Sequence, residues 1–155
     1  MSHPTTAMTM RRATPADREP VIALIFSILR SFGIEPEPLR LDAETMRFGE
    51  TGDASVFDYV AEIDGVLVGS VSLRDRGDDT GRISKFFVAE EARGRGVGRS
   101  LLALAVTQAR ARSLKVLDLE TREAFEAAIH IYESTGWKRG PDPENTCDRA
   151  YTLTL

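Results

Sequence analysis

The chain has little that could cross-link it covalently or through a metal. Its 155 residues include one cysteine, Cys147, and two histidines, His3 and His130. A single cysteine excludes an internal disulfide and suits a reducing compartment, so the expected location is cytoplasmic. Neither histidine has a second ligand at metal-binding spacing, and no metal is expected. No apolar run is long enough to cross a bilayer, and the polar N-terminus lacks a signal-peptide core, so no membrane partner is expected. Neither charge sign dominates: 20 Lys+Arg against 24 Asp+Glu leave −4, which argues against general nucleic-acid binding. Repeats and low-complexity segments are absent. What remains is an ordinary globular composition, 42% hydrophobic and 28% charged. It fits a single domain over residues 1–155, with 1–7 read as a flexible tail.

Strand and helix signals alternate along the chain. Met8–Ala13 reads as a strand. Thr14-Pro15-Ala16-Asp17 reads as a helix start, with Thr as N-cap, Pro at the first turn and an acid at the dipole. That helix carries Ile22, Leu24, Ile25, Ile28 and Leu29, and Gly33 ends it. A short helix is expected around Ala43–Phe48. Phe57, Tyr59, Ala61 and Ile63 alternate with polar residues as a half-buried strand, and Asp64-Gly65 turns it into Val66–Leu73. Arg74–Gly81 reads as a charged loop and Ile83–Val88 as a strand. Val116–Thr121 is a further strand, Phe125–Ser134 a helix that Gly136 ends, and Ala150–Leu155 a closing strand. This order predicts a mixed, mostly antiparallel twisted sheet with helices on both faces.

Between the Ile83–Val88 strand and a helix carrying Leu101, Leu102, Ala105 and Ala109 lies Arg93-Gly94-Arg95-Gly96-Val97-Gly98-Arg99-Ser100. A glycine-rich turn opening a helix collects unpaired N–H groups at the positive end of a helix dipole, and arginines add charge. A phosphate-bearing ligand belongs there. The dinucleotide fingerprint needs a further glycine where Arg99 or Leu101 stands, and a Walker A loop needs Gly-Lys followed by Ser or Thr; both are excluded. A disordered Arg-Gly tail is excluded by the periodic apolar segments on either side.

Arg93-x-x-Gly96-x-Gly98 resembles the acyl-CoA signature of the GNAT superfamily of N-acyltransferases. Leu119-Glu120-Thr121, then Ala128-Ile129-His130-Ile131-Tyr132-Glu133 and Gly136-Trp137, resemble a second segment of that superfamily. Met10–Asp17 is similar to its usual opening. The resemblance implies the α/β (α+β) GNAT-like acyl-CoA N-acyltransferase fold. It also implies acetyl-CoA as co-substrate and direct transfer to a primary amine in a ternary complex. The cofactor-binding set it implies is Phe86, Phe87, Val88, Arg93, Gly94, Arg95, Gly96, Val97, Gly98, Arg99, Ser100 and Phe125. Pantetheine would pair with the backbone of Phe86 and Val88, the Val88 N–H would face the developing oxyanion, and pyrophosphate would rest on the N–H groups of Arg93 through Arg99. Phe125 stands where relatives often carry asparagine.

Tyr132 matches the family tyrosine that hydrogen-bonds the leaving thiolate. A phenol near pKa ~10 is a weaker acid than a thiol near ~8.5, so hydrogen bonding rather than full proton transfer is the expected role. The competing reading is core packing, since Phe125, Ala128, Ile129 and Tyr132 share one helix face. Arg82 occupies the position where many relatives place a glutamate base. Glu120 is then the next candidate base, against a strand-end acid in a salt bridge, and Arg82 offers a guanidinium to an acceptor carboxylate. Cys147 reads as a small buried residue rather than an acyl carrier, and Trp137 as a packing residue. The resemblance builds the acceptor groove from Phe32–Arg40 and Gly140–Thr146. Their acids Glu35, Glu37, Asp142 and Glu144 would draw a cationic amine or simply be solvated. The alternatives kept open are a CoA-binding sensor or interaction module without catalysis, another acyl-CoA donor, and an oxygen acceptor. Edge strands near the C-terminus make a homodimer a further expectation.

Overall fold

The computed structural model describes residues 7–155. Residues 1–6, which hold His3 and most of the expected tail, lie outside the described residues. Seven strands form one sheet in the order β1-β2-β3-β4-β5-β7-β6. They span Met8–Arg12, Val56–Ile63, Val66–Asp75, Thr80–Val88, Val116–Thr121, Lys138–Arg139 and Arg149–Thr154, numbered β1 to β7. Every neighbouring pair is antiparallel except β4 and β5. Three helices cover the sheet: α1 (Arg18–Ser31), α2 (Val97–Ala111) and α3 (Glu126–Ser134).

Alternation decides which helix each strand residue meets. Val71 and Leu73 of β3, Ile83 of β4 and Leu117, Leu119 of β5 point to α2 and α3, where they pack on Leu101, Ala105 and Ile129. Val60, Phe87 and Phe48 pack on the other face, against Val21, Ile25 and Leu29 of α1. Leu101, Val21 and Leu117 are fully buried, and each such side chain stabilises the fold by about 1.5–3 kcal/mol. Trp137 is buried in the larger cluster beside Tyr132 and Tyr151, as expected of a packing residue. The helix start at Thr14 is held by Asp17, whose carboxylate accepts the Thr14 N–H at 2.8 Å and pairs with Arg11 at 2.7 Å. That pairing holds the Asp17 carboxyl below its ordinary value.

Three local expectations are corrected. The expected helix at Ala43–Phe48 is a chain of turns ending in one 3-10 turn, Thr45–Arg47. The supposed loop Arg74–Gly81 is mostly strand: β3 runs to Asp75 and β4 starts at Thr80, leaving a tip closed by Arg76 N–H to Thr80 O at 3.0 Å. Charge misled the reading there, because the arginines are accommodated along a half-exposed strand end with their heads paired to carboxylates, Arg74 to Glu44 and Arg76 to Asp118. Cys147 is only partly buried, not a core residue, and burial raises its thiol pKa.

Candidate active site

The turn before α2 forms one end of the site. Gly94 and Gly96 have φ of +81° and +77°, in the left-handed region that favours glycine. Gly96 is the N-cap of α2, and the first backbone bond at this end runs from Ser100 N–H to Gly96 O at 3.0 Å. Arg93 N–H is likewise used, on Glu90 O at 3.1 Å. Among the described residues no backbone carbonyl accepts the N–H groups of Gly94 through Arg99, so a contiguous run of donors is left free. Gly98 serves packing instead. A Cβ there would lie 2.9 Å from Ile131 Cδ1 and 3.4 Å from Phe86 Cζ, so glycine lets α2 begin directly against β4 and α3.

Next to this turn the sheet opens. The β4–β5 ladder covers only Thr80–Arg82 against Val116–Asp118, and beyond it β4 has no partner on that side. A cavity of about 560 Å³ fills the gap, lined by Arg93, Gly94, Gly96, Val97, Gly98 and Arg99 at one end and by Phe86, Val88, Thr121, Ala128, Ile131 and Tyr132 along its length. Arg95 and Ser100 do not line it. Tyr132 is 4% exposed, with ring centroids 5.8 Å from Phe86 and 5.6 Å from Tyr151. Its hydroxyl has no hydrogen-bond partner among the described residues, whereas the Tyr151 hydroxyl donates to Glu133 at 2.8 Å. Burial pushes the Tyr132 pKa well above the ordinary tyrosine value, so the group is a neutral O–H donor aimed at the cavity.

The α1 end of the cavity is apolar. Phe125, at the N-cap of α3, meets Phe32 edge-on at 5.1 Å and Phe87 at 5.9 Å. Phe125 is therefore an aromatic wall joining three elements rather than a polar contact.

Glu120 is not in the cavity. It alternates with the inward Leu119 and Thr121 on β5 and points to the α1 side of the sheet, 25% exposed. There its Oε2 accepts Asn145 Nδ2–H at 2.7 Å and stands 3.8 Å from Arg82. Arg82 is itself engaged, with Nε 2.6 Å from Asp118 Oδ1, and Arg76 pairs with the same carboxylate. The groove acids are mostly paired locally: Glu35 with Arg30, Glu37 with Arg40 and Asp142 with Arg139.

The sequence reading missed Lys85. Its side chain is 10% exposed, on the stretch of β4 that has lost its β5 partner, and its φ of +52° marks a bulge opposite Ser70–Ser72. The run Ser84-Lys85-Phe86-Phe87 carries the signal, because two polar and then two apolar residues break the alternation of a regular strand.

A helix start with unaccepted N–H groups stands beside a cavity that splits the sheet, and comparisons with known proteins give the family. Residues 22–137 match the Acetyltransferase (GNAT) family. The chain belongs to the GNAT acetyltransferase family, and its sheet and helices are those of that fold. Mycothiol acetyltransferase of Cellulomonas flavigena is 31% identical over 134 residues, covering 74% of this chain and 38% of that protein. The chain thus spans well under half of that relative. Aminoalkylphosphonate N-acetyltransferase of Salmonella typhimurium is 28% identical, covering 84% of each chain. Among solved structures, PaiA N-acetyltransferase of Thermoplasma acidophilum in complex with coenzyme A superimposes with a TM-score of 0.77 at 16% identity, covering 96% of this chain and 99% of that one.

Proposed function

We propose that this chain is an acetyl-CoA-dependent N-acetyltransferase that acts on a primary amine by direct transfer in a ternary complex. The observation that carries the reading is the run of free N–H groups from Gly94 to Arg99 opening onto the split between β4 and β5. The donor set fits acetyl-CoA: backbone N–H groups and Arg93 and Arg99 suit a pyrophosphate, and the narrow apolar cavity suits a pantetheine arm. Acetyl-CoA supplies an activated thioester.

The chain supplies the rest. Gly94 through Arg99 bind the pyrophosphate, and the unpaired edge of β4 at Phe86 and Val88 offers backbone groups to the arm. Val88 N–H is a fixed dipole for the charge that develops on the thioester oxygen. Tyr132, neutral and without a competing partner, donates its O–H to the departing sulfur. Glu120, held by Asn145 on the α1 side, takes the amine proton directly or through water. Base and thiol-side donor then lie on opposite faces of the sheet, on either side of the β4–β5 opening. Calorimetric titration with acetyl-CoA, CoA, NAD and ATP, followed by a thiol-release screen against amines, tests this. Selective micromolar binding of the CoA species with amine-dependent thiol release is expected. Binding without release against any amine would leave the CoA-sensor reading, and absence of CoA binding would overturn both.

A further inference from the structure

On the α1 side of the sheet the strands carry a polar floor that the proposed chemistry leaves unused. Asp58 of β2, Ser72 and Arg74 of β3, and Arg82 and Lys85 of β4 share it, and cross-strand register sets Arg74 opposite Arg82. Most of these groups are committed. Asp58 is buried, with Oδ2 accepting Gly49 N–H at 2.9 Å and Oδ1 accepting the Ser72 hydroxyl. Arg82 is taken by Asp118.

Lys85 is the exception. Its side chain is 90% buried, its ammonium makes no hydrogen bond to a described residue, and the ammonium itself still reaches solvent. The carboxylate within ion-pair reach is Glu44 Oε2, 3.8 Å away, and the same carboxylate stands 3.5 Å from Arg74. Glu44 is 66% exposed and comes from the turns between α1 and β2, so it reaches over the floor from solvent. A cation on a mostly buried stem is poorly hydrated, and an anion seated at hydrogen-bond distance would be held more tightly there than at an exposed lysine. Arg74 also stands 3.8 Å from Asp53, and Asp58 adds negative charge near Lys85, yet neither cation makes a hydrogen bond to a carboxylate among the described residues. Burial accordingly lowers the Lys85 pKa.

We infer that Lys85 and Arg74 form the seat for an anionic group on the acceptor, so that the acceptor class is a small amine carrying a carboxylate or phosphonate, with Glu44 as the exchangeable anion that the acceptor displaces. The inference rests on the acetyltransferase reading and deepens it. It moves the carboxylate-orienting role expected of Arg82 to Lys85 and Arg74, because Asp118 already occupies Arg82. Lys85 also lies beside the open edge of β4, directly before Phe86, so an anion bound there would hold the acceptor next to the donor-binding stretch.

The experiment has two arms. Thiol release is measured with glycine, β-alanine and 2-aminoethylphosphonate against ethylamine, ethanolamine and putrescine, in the wild type, Lys85→Met and Glu44→Gln. Equilibrium binding of 2-aminoethylphosphonate to the CoA-loaded protein is measured separately. The wild type should favour amines that carry a carboxylate or phosphonate over amines that carry none at least tenfold in kcat/KM, mainly through KM. Lys85→Met should cut that preference tenfold or more, and Glu44→Gln, at an exposed position that folding tolerates, should strengthen it severalfold. Equal use of amines that carry no anionic group, or variants that move both classes alike, would overturn the seat while leaving acetyl transfer standing. Binding of the aminophosphonate that is lost in Lys85→Met, without turnover of any amine, would uphold the seat and remove the transfer reading. No binding and no preference would overturn the seat.

Discussion

Gly96→Val isolates the backbone contribution to donor binding. Gly96 has φ +77° and no atom within 4 Å of the position a Cβ would take, so the substitution meets no steric neighbour and its cost is conformational. A left-handed conformation costs an L-residue about 1–2 kcal/mol, and a branched Cβ puts the variant at the upper end. For a domain of this size that lowers Tm by about 2–8 °C. The effect on binding is larger in proportion. If the turn relaxes to negative φ, the N–H groups around Gly96 no longer converge. Losing one charge-assisted hydrogen bond, worth about 1.5–3 kcal/mol, weakens CoA binding on the order of 10- to 100-fold. Gly77→Val is the matched control: Gly77 has φ +81° in equally open surroundings, in the β3–β4 tip away from the cavity. Thermal melts and calorimetric titration with CoA on both variants should show similar losses of Tm, with affinity lost only in Gly96→Val. Wild-type affinity in Gly96→Val, or an equal loss in Gly77→Val, would refute the assignment of the turn to the anion.

Two further outcomes follow from the buried groups. Tyr132→Phe removes a hydroxyl with no partner among the described residues, so Tm should hold while steady-state thiol release shows kcat down about 10- to 100-fold and CoA affinity within twofold; unchanged turnover would take Tyr132 out of the chemistry. Asp17 has its folded pKa depressed, by the Arg11 hydrogen bond first, so its stabilisation is complete above the ordinary carboxylate value and is lost as pH falls through the lower folded value. Melting curves of wild type and Asp17→Asn should therefore run apart from pH 7 to 5 and draw together only below the ordinary carboxylate value, and a gap that stays constant into acid would contradict the pairing.

What the sequence determined by itself is local. The order of strands and helices, the Asp64-Gly65 turn, the glycine-rich turn at Arg93–Ser100 and the shared face of Phe125, Ala128, Ile129 and Tyr132 all follow from propensity and periodicity within a few residues. These are interactions a short segment makes with itself. The tertiary structure alone decided what depends on register and on pairing between distant residues. The β4–β5 ladder stops after Arg82, and that opening makes the cavity. Asp118, 36 residues from Arg82, takes the guanidinium that stood free in the sequence. Pleat parity turns Glu120 away from Tyr132, and neighbouring arginines pair most of the groove acids. Lys85 looks like any strand lysine until a bulge and the packed sheet face bury most of its side chain on the floor it shares with Asp58. A side chain's charge is written in the sequence, but whether that charge is spent or available depends on which distant group the fold brings beside it.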